Sequence, residues 1–252
     1  MTIVATRNQP ANGDEVTTRA MQTAYHQLLE LHQVLYPRIR NHKIDLHTRW
    51  QKTNIVTLDS AATTNQEKET AALVYFRSRE QAVQVERLMG KDGAMVNSVI
   101  ETYRHPLIEV RLTPKHLVIE LIVSPGAWYD QQNLAGKMML PQSNEAFRAL
   151  LQNLGGGFHF GFWDGLELGD MQIEVEYLLR GHVLNEWMDT FAAGYDWLRI
   201  GKWYPREEIV LDDLNTVTDV FATVQHLHAL YEFLRWTSNN NYRSFFEKNR
   251  RP

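Results

Sequence analysis

The sequence predicts an α+β fold: a mainly antiparallel sheet built from hairpins, covered on one face by long N- and C-terminal helices. Three observations carry this. Two stretches, near 107–123 and 158–177, alternate apolar and polar residues on either side of a turn signal, as hairpins do. Two others, near 17–40 and 213–236, repeat apolar residues at helical spacing. Finally, 44% hydrophobic residues with 22% charged, over 252 residues, is the profile of a folded globular chain able to bury a core without metal or disulfide staples.

Residues 1–14, with Asn8, Pro10, Asn12 and Gly13 and no periodicity, read as a flexible lead-in. From Thr17 to Arg40 the stripe Ala20, Ala24, Leu28, Leu31 and Leu35 marks an amphipathic helix, which Pro37 is expected to kink or end near Tyr36. Trp50 to Leu58, with Ile55, Val56 and Leu58, suggests a strand, and the Thr-rich run 59–70 a surface loop, the one candidate for a domain boundary. Otherwise 15–252 reads as a single domain. Leu73 to Phe76 suggests a short strand, and Ser78 followed by Gln81 has capping-box spacing for a helix ending at Gly90.

In the first hairpin, Ile108, Val110 and Leu112 alternate with Glu109 and Arg111, Thr113 to His116 turn, and Leu117 to Val123 return. Asn144 to Leu154 reads as a helix ended by Gly155, Gly156 and Gly157. Phe158, Phe160 and Phe162 open the second hairpin, which returns through Ile173, Val175 and Tyr177. A helix over 183–192, a strand over 197–204 and a helix over 213–236, capped by Asp212 or Asp213, complete the order. Over 155–233, the run His159 to Trp163, the second strand near Glu174 to Tyr177, Trp197 to Lys202 and the helix reaching Tyr231 resemble the element order of the uncharacterised bacterial YktB-like proteins. The basic, histidine-containing segment such proteins carry upstream has no counterpart here. The resemblance implies an α+β fold and assigns no activity or site residue.

The absence of cysteine excludes disulfide frameworks, thiolate metal sites and cysteine nucleophiles, and points to a reducing, cytoplasmic setting. The N-terminal apolar run is too short for a signal-peptide core, and no run approaches a membrane span. Net charge is −4, but thirteen acidic residues against four basic ones lie between Asp164 and Asp219, while the end of the chain (Tyr242, Arg243, Phe245, Phe246, Lys248, Arg250, Arg251) is basic and aromatic. That tail is the only expected contact for nucleic acid, and docking on its own acidic stretch is the stronger expectation.

Two constellations carry candidate chemistry. With Pro114-Lys115 at the turn centre, Glu109 faces Glu120 across the first hairpin; two opposed carboxylates call for a cation or a shared proton. They are the candidates for a Mg or Mn site, with His105 or Asp130 as a further ligand and His105 as a catalytic candidate, in a metal-dependent hydrolase or nuclease. The plainer reading puts both glutamates on a solvated sheet face, neutralised by Arg111 and Lys137. The second constellation is the polar-aromatic segment 124–137, read as a loop, with Trp128, Tyr129, Asp130, Gln131, Asn133 and Lys137, beside Arg111, as ligand-binding candidates. It supports the leading expectation of an intracellular non-catalytic domain, without a cofactor, binding a protein partner or small ligand through this loop and the adjoining sheet face.

Overall fold

The computed structural model describes residues 12–48, 55–64, 70–91, 100–211 and 213–243, apart from the side chains of 12–18. One seven-stranded sheet organises the chain, in the order β1 (Val56–Thr57), β2 (Ala71–Phe76), β3 (Leu107–Leu112), β4 (His116–Val123), β7 (Leu198–Pro205), β5 (Phe158–Phe162), β6 (Gln172–Glu174). Every pairing is antiparallel. The described helices are α1 (Asn12–Asn41), α2 (Arg79–Leu88), α3 (Trp128–Met138), α4 (Pro141–Gln152), α5 (Val175–Leu178), α6 (Val183–Asp189) and α7 (Leu214–Leu234). The α+β class with an antiparallel sheet is thus what the chain adopts, and no described helix is long and apolar enough to cross a membrane.

The helices α1, α3, α4 and α7 contribute to one apolar layer with one face of the sheet. Leu28, Leu31, Leu35 and Ile39 of α1 and Val217, Val220, Val224, Leu227 and Leu234 of α7 meet Leu73, Tyr75, Val110, Ile119, Leu121, Phe160 and Ile200 in a single buried core. This is the stripe the helical spacing predicts. Pro37, however, neither ends nor interrupts α1, which continues to Asn41. Proline costs one backbone hydrogen bond, but the buried stripe runs across it to Ile39, and that burial outweighs the loss. Three residues of the expected lead-in, 12–14, are already helical, and 1–11 lie outside the described residues.

Other boundaries follow local chemistry. Ser78 caps α2, its hydroxyl accepting from the Gln81 N–H at 3.4 Å. Gly155 and Gly157 take φ of +76° and +78° after α4, the left-handed backbone that glycine adopts without strain. The return strand of the second hairpin is shorter than its alternation suggests: β6 stops at Glu174, and Val175 and Leu178, three apart, are buried by one turn of helix instead. Of the strand expected over 50–58, Val56 and Thr57 form β1 and 50–54 lie outside the described residues, as does the Asp212 alternative for the α7 cap; Asp213 holds the cap position, without a side-chain hydrogen bond.

The second face of the sheet is also buried, among the described residues beneath connections. Ala62, from the segment read as a surface loop, joins Leu166 and Trp197 over Val74, Phe76, Leu107 and Ile122. Gly201 lies opposite Glu120 in the middle of this face, where a Cβ would stand 2.3 Å from that of Glu120 and 2.8 Å from its Cα. Gly201→Ala should therefore cost about 1–3 kcal/mol by overpacking. Urea denaturation checks this, and an unchanged midpoint would contradict it.

Candidate functional site

The first hairpin forms in the expected register: Leu112 pairs with Leu117 and Glu109 with Glu120. The turn is held by Thr113, whose N–H donates to the His116 carbonyl at 2.9 Å and whose hydroxyl accepts from the His116 N–H at 2.9 Å. The two carboxylates do meet. Their face is not solvated, since Glu109, Arg111 and Glu120 are all fully buried.

Two guanidiniums fill the space between and beside them. Arg111 Nη1 donates to Glu109 at 3.2 Å and to Glu120 in a shorter contact. Arg199, brought alongside by the β4–β7 pairing, donates from Nε to Glu120 Oε2 at 3.2 Å and from Nη2 to Oε1. Two carboxylates and two guanidiniums make a formally neutral quartet. Burial alone would raise the Glu120 carboxyl, but Arg111 and Arg199 override it and hold the group below the ordinary carboxylate range. Of the two neutralising cations expected, Arg111 is present and Lys137 is not; Arg199 stands in its place.

Most of the remaining capacity of the quartet is used by the segments above it, Arg111 Nε alone having no hydrogen-bond partner among the described residues. Glu109 accepts from the Ser60 hydroxyl and from the Ala61 N–H at 2.6 Å. Arg111 Nη2 donates to the Leu166 carbonyl at 2.8 Å, and Arg199 Nη1 to that of Gly165. Trp163 lies over the Arg199 guanidinium, 4.5 Å from ring centroid to Cζ, and its own indole N–H donates to the Glu167 carbonyl at 2.9 Å. The segments 60–62 and 163–167 are thereby pinned onto the sheet, and Gly165 N–H donates to the Ala62 carbonyl at 3.0 Å between them. A divalent cation entering this site would have to displace Arg111. Among the described residues, no group of three or more histidines, aspartates or glutamates could hold a metal ion.

His105 and Asp130, the other candidate ligands, belong to a different cluster at the end of the strands. His105 is buried 3.5 Å from Glu86, whose second oxygen lies 3.1 Å from Lys91. Burial holds the His105 imidazole below its ordinary value, against the pull of Glu86. Asp130 pairs with the buried Arg77 and accepts from the Trp236 N–H at 2.6 Å.

The segment 124–137 is not a loop. After a 3-10 turn, Pro125–Ala127, it is helix α3. A stripe of buried polar side chains, with Leu134 among them, faces the body of the protein, and so the helix lacks the apolar period that would have revealed it. Gln131 donates from Nε2 to the carbonyls of Val123, Ser124 and Asp196 and accepts from the Gly194 N–H at 2.6 Å. Asn133 donates to Leu234 and Asn240 carbonyls, both at 3.1 Å, and accepts from the Tyr242 N–H at 2.8 Å. Lys137 donates to the Phe233 carbonyl at 2.5 Å and to the Asn240 side chain. The ligand of these amide and ammonium groups is therefore the chain itself: for Asn133 and Lys137 where it leaves α7, for Gln131 where it leaves β4 and turns before β7.

No family model matches the chain. No curated protein matches it either. Function must be read from what the site leaves exposed, and in the candidate set that is aromatic: Trp128 is 42% exposed and Tyr129 half-buried. Tyr129 stands edge-on to Trp128 and to Trp236, with centroids 5.2 Å and 5.1 Å apart. Gly194, beside the 84% exposed Tyr195, packs against Trp128, and Tyr103, 47% exposed, lies over Gly126, where a Cβ would meet its ring at 2.5 Å. Tyr103, Tyr195 and Trp236 escape a sequence reading because three distant connections bring them together.

Two outcomes follow. Glu120→Gln leaves two guanidiniums facing one carboxylate in a buried site and should cost about 3–5 kcal/mol, read as a fall in denaturation midpoint; a loss under about 1 kcal/mol, the worth of a surface pair, would contradict the arrangement. Burial pushes the Lys137 ammonium down to about 8, against about 10.4 in an unfolded chain. The unfolded chain then holds more protons between these values, so stability rises with pH across that window. Lys137→Met should flatten the rise in melting temperature between the two; a slope equal to wild type would contradict it.

Proposed function

We propose that the chain is a non-catalytic binding module and that its partner contact is the aromatic cluster of Tyr103, Trp128, Tyr129, Tyr195 and Trp236. The observation that carries this is the edge-on trio Trp128, Tyr129 and Trp236, with Trp128 exposed and the exposed Tyr103 and Tyr195 carried on segments that pack beside it, on backbone pinned by buried hydrogen bonds. A contiguous exposed apolar patch on a soluble surface marks an interaction site more often than isolated exposed residues do. Trp and Tyr are also the residues that dominate binding energy at protein interfaces, because they bury large area at small entropic cost. Here the scaffold adds rigidity: Gln131 fixes the turn that carries Tyr195, and Asp130 fixes the backbone of Trp236. Pre-ordered rings lose little freedom on binding.

The same bonding counts against catalysis by the candidate groups, since Glu109, Arg111, Glu120, Asp130, Gln131, Asn133 and Lys137 are buried and engaged within the chain. We infer a protein partner rather than a small ligand, because the exposed rings present area rather than converging polar groups. An intracellular setting accords with a sequence that contains no cysteine.

The test is site-specific photo-crosslinking in the cells that make the protein. A benzophenone side chain replacing Tyr195 should give a discrete crosslinked species that Trp128→Ala abolishes. The same group replacing Leu58, exposed beyond the opposite end of the strands, should give none. No species from position 195, or one that persists in Trp128→Ala and appears equally from position 58, would overturn the reading.

A further inference from the structure

The β6 margin of the sheet has properties that neither the core nor the aromatic cluster requires. β6 is the last strand and pairs on one side only, with β5. The Phe162 N–H donates to the Met171 carbonyl at 2.9 Å; since backbone groups alternate in direction along a strand, those of Ile173 also turn inward and those of Gln172, with the N–H of Glu174, turn outward. Gly161 lets this edge lie close, a Cβ there falling 2.1 Å from the Met171 carbonyl oxygen.

The span 164–179 holds five carboxylates, Asp164, Glu167, Asp170, Glu174 and Glu176, and no Lys, Arg or His. Asp164 is engaged by the Thr64 hydroxyl and Glu167 by Lys115 and His116. Among the described residues, Asp170, Glu174 and Glu176 form no ion pair. Leu168, Met171 and Tyr177 are exposed between them.

Charge on an edge strand ordinarily prevents edge-to-edge pairing, and a margin of one sign does so against copies of itself. It does the opposite for a strand of the other sign, because opposite charges across a strand pair stabilise it. We propose that the β6 edge takes an extended basic segment of a partner protein as an added strand. The outward N–H and C=O of Gln172 and the N–H of Glu174, whose carbonyl is taken by the first turn of α5, supply the backbone bonds, and Asp170, Glu174 and Glu176 select for lysine or arginine. Side chains alternate across a strand, so basic residues on the Glu174 side would alternate with apolar ones beside Met171 and Tyr177.

The probe is a fluorescein-labelled nine-residue peptide alternating lysine and valine, followed by anisotropy on the full chain. Three controls accompany it: the glutamate–valine counterpart, the lysine peptide N-methylated throughout, and the Glu174→Lys protein, whose substitution is at an exposed position. The lysine peptide should bind, the glutamate peptide should not, and both N-methylation and Glu174→Lys should weaken binding tenfold or more. N-methylation keeps the charge and removes the backbone donors, and it leaves the protein untouched. Absence of binding up to about 1 mM, or binding within twofold after either change, overturns the proposal. Trp128→Ala should leave peptide binding intact, which separates this surface from the aromatic cluster.

Discussion

Four charged side chains on one face of the sheet, Glu109, Arg111, Glu120 and Arg199, are removed from water together. Each alone would carry a desolvation penalty of several kcal/mol, and mutual attraction repays it only when the remaining donors and acceptors are also satisfied. That condition explains much of the architecture. It requires β3, β4 and β7 to be neighbours in one register, because a slip of one residue would carry Glu120 to the apolar face. It also requires something above the sheet to complete the hydrogen bonds, and the segments 60–62 and 163–167 do so with backbone N–H and C=O groups. Those groups would themselves be costly to bury unpaired. Apart from Arg111 Nε, loops and quartet thus satisfy each other, and a small apolar patch around Trp197 is closed over in the process.

The same exchange occurs at the end of the strands. The chain emerging from α7 must turn away from the core with its last carbonyls unpaired. Asn133 and Lys137 of α3 receive them, and Asn240 folds back to donate to the carbonyls of Glu232, Phe233 and Arg235. Asp130, bound to Arg77, takes the Trp236 N–H. Because the polar side of α3 is consumed inwardly, its remaining surface shows Trp128 and Tyr129; the ring of Trp236 and the turn that carries Tyr195 are delivered beside them by the backbone those polar groups hold. Structural polarity inside and aromatic exposure outside are two sides of one helix.

How much of this is legible in the sequence depends on the range of the signal. The hairpin register, and with it the meeting of Glu109 and Glu120, follows from a four-residue turn whose chemistry is local. The Ser78 cap and the stripes of α1 and α7 are equally local. Arg199 could not be assigned to the quartet, because its arrival depends on β7 crossing back to pair with β4, some 80 residues earlier in the chain. Helix α3 was hidden for another reason: Gln131, Asn133 and Lys137 have the donors and acceptors of a ligand pocket, and nothing in their order distinguishes an external ligand from the protein's own backbone. Pro37 misleads because the sequence displays its cost and not the buried contact of Ile39 beyond it.

The central claim is that the buried quartet anchors both covering segments at once. Native-state hydrogen exchange of the Ala61, Ala62 and Gly165 amides, in wild type and in Arg111→Met, tests it most directly. With the anchor weakened, all three amides should lose protection together, while that of Ile119 in the central strand stays the slower by a wide margin. If the three amides keep their wild-type protection in Arg111→Met, the segments are held by something other than the quartet.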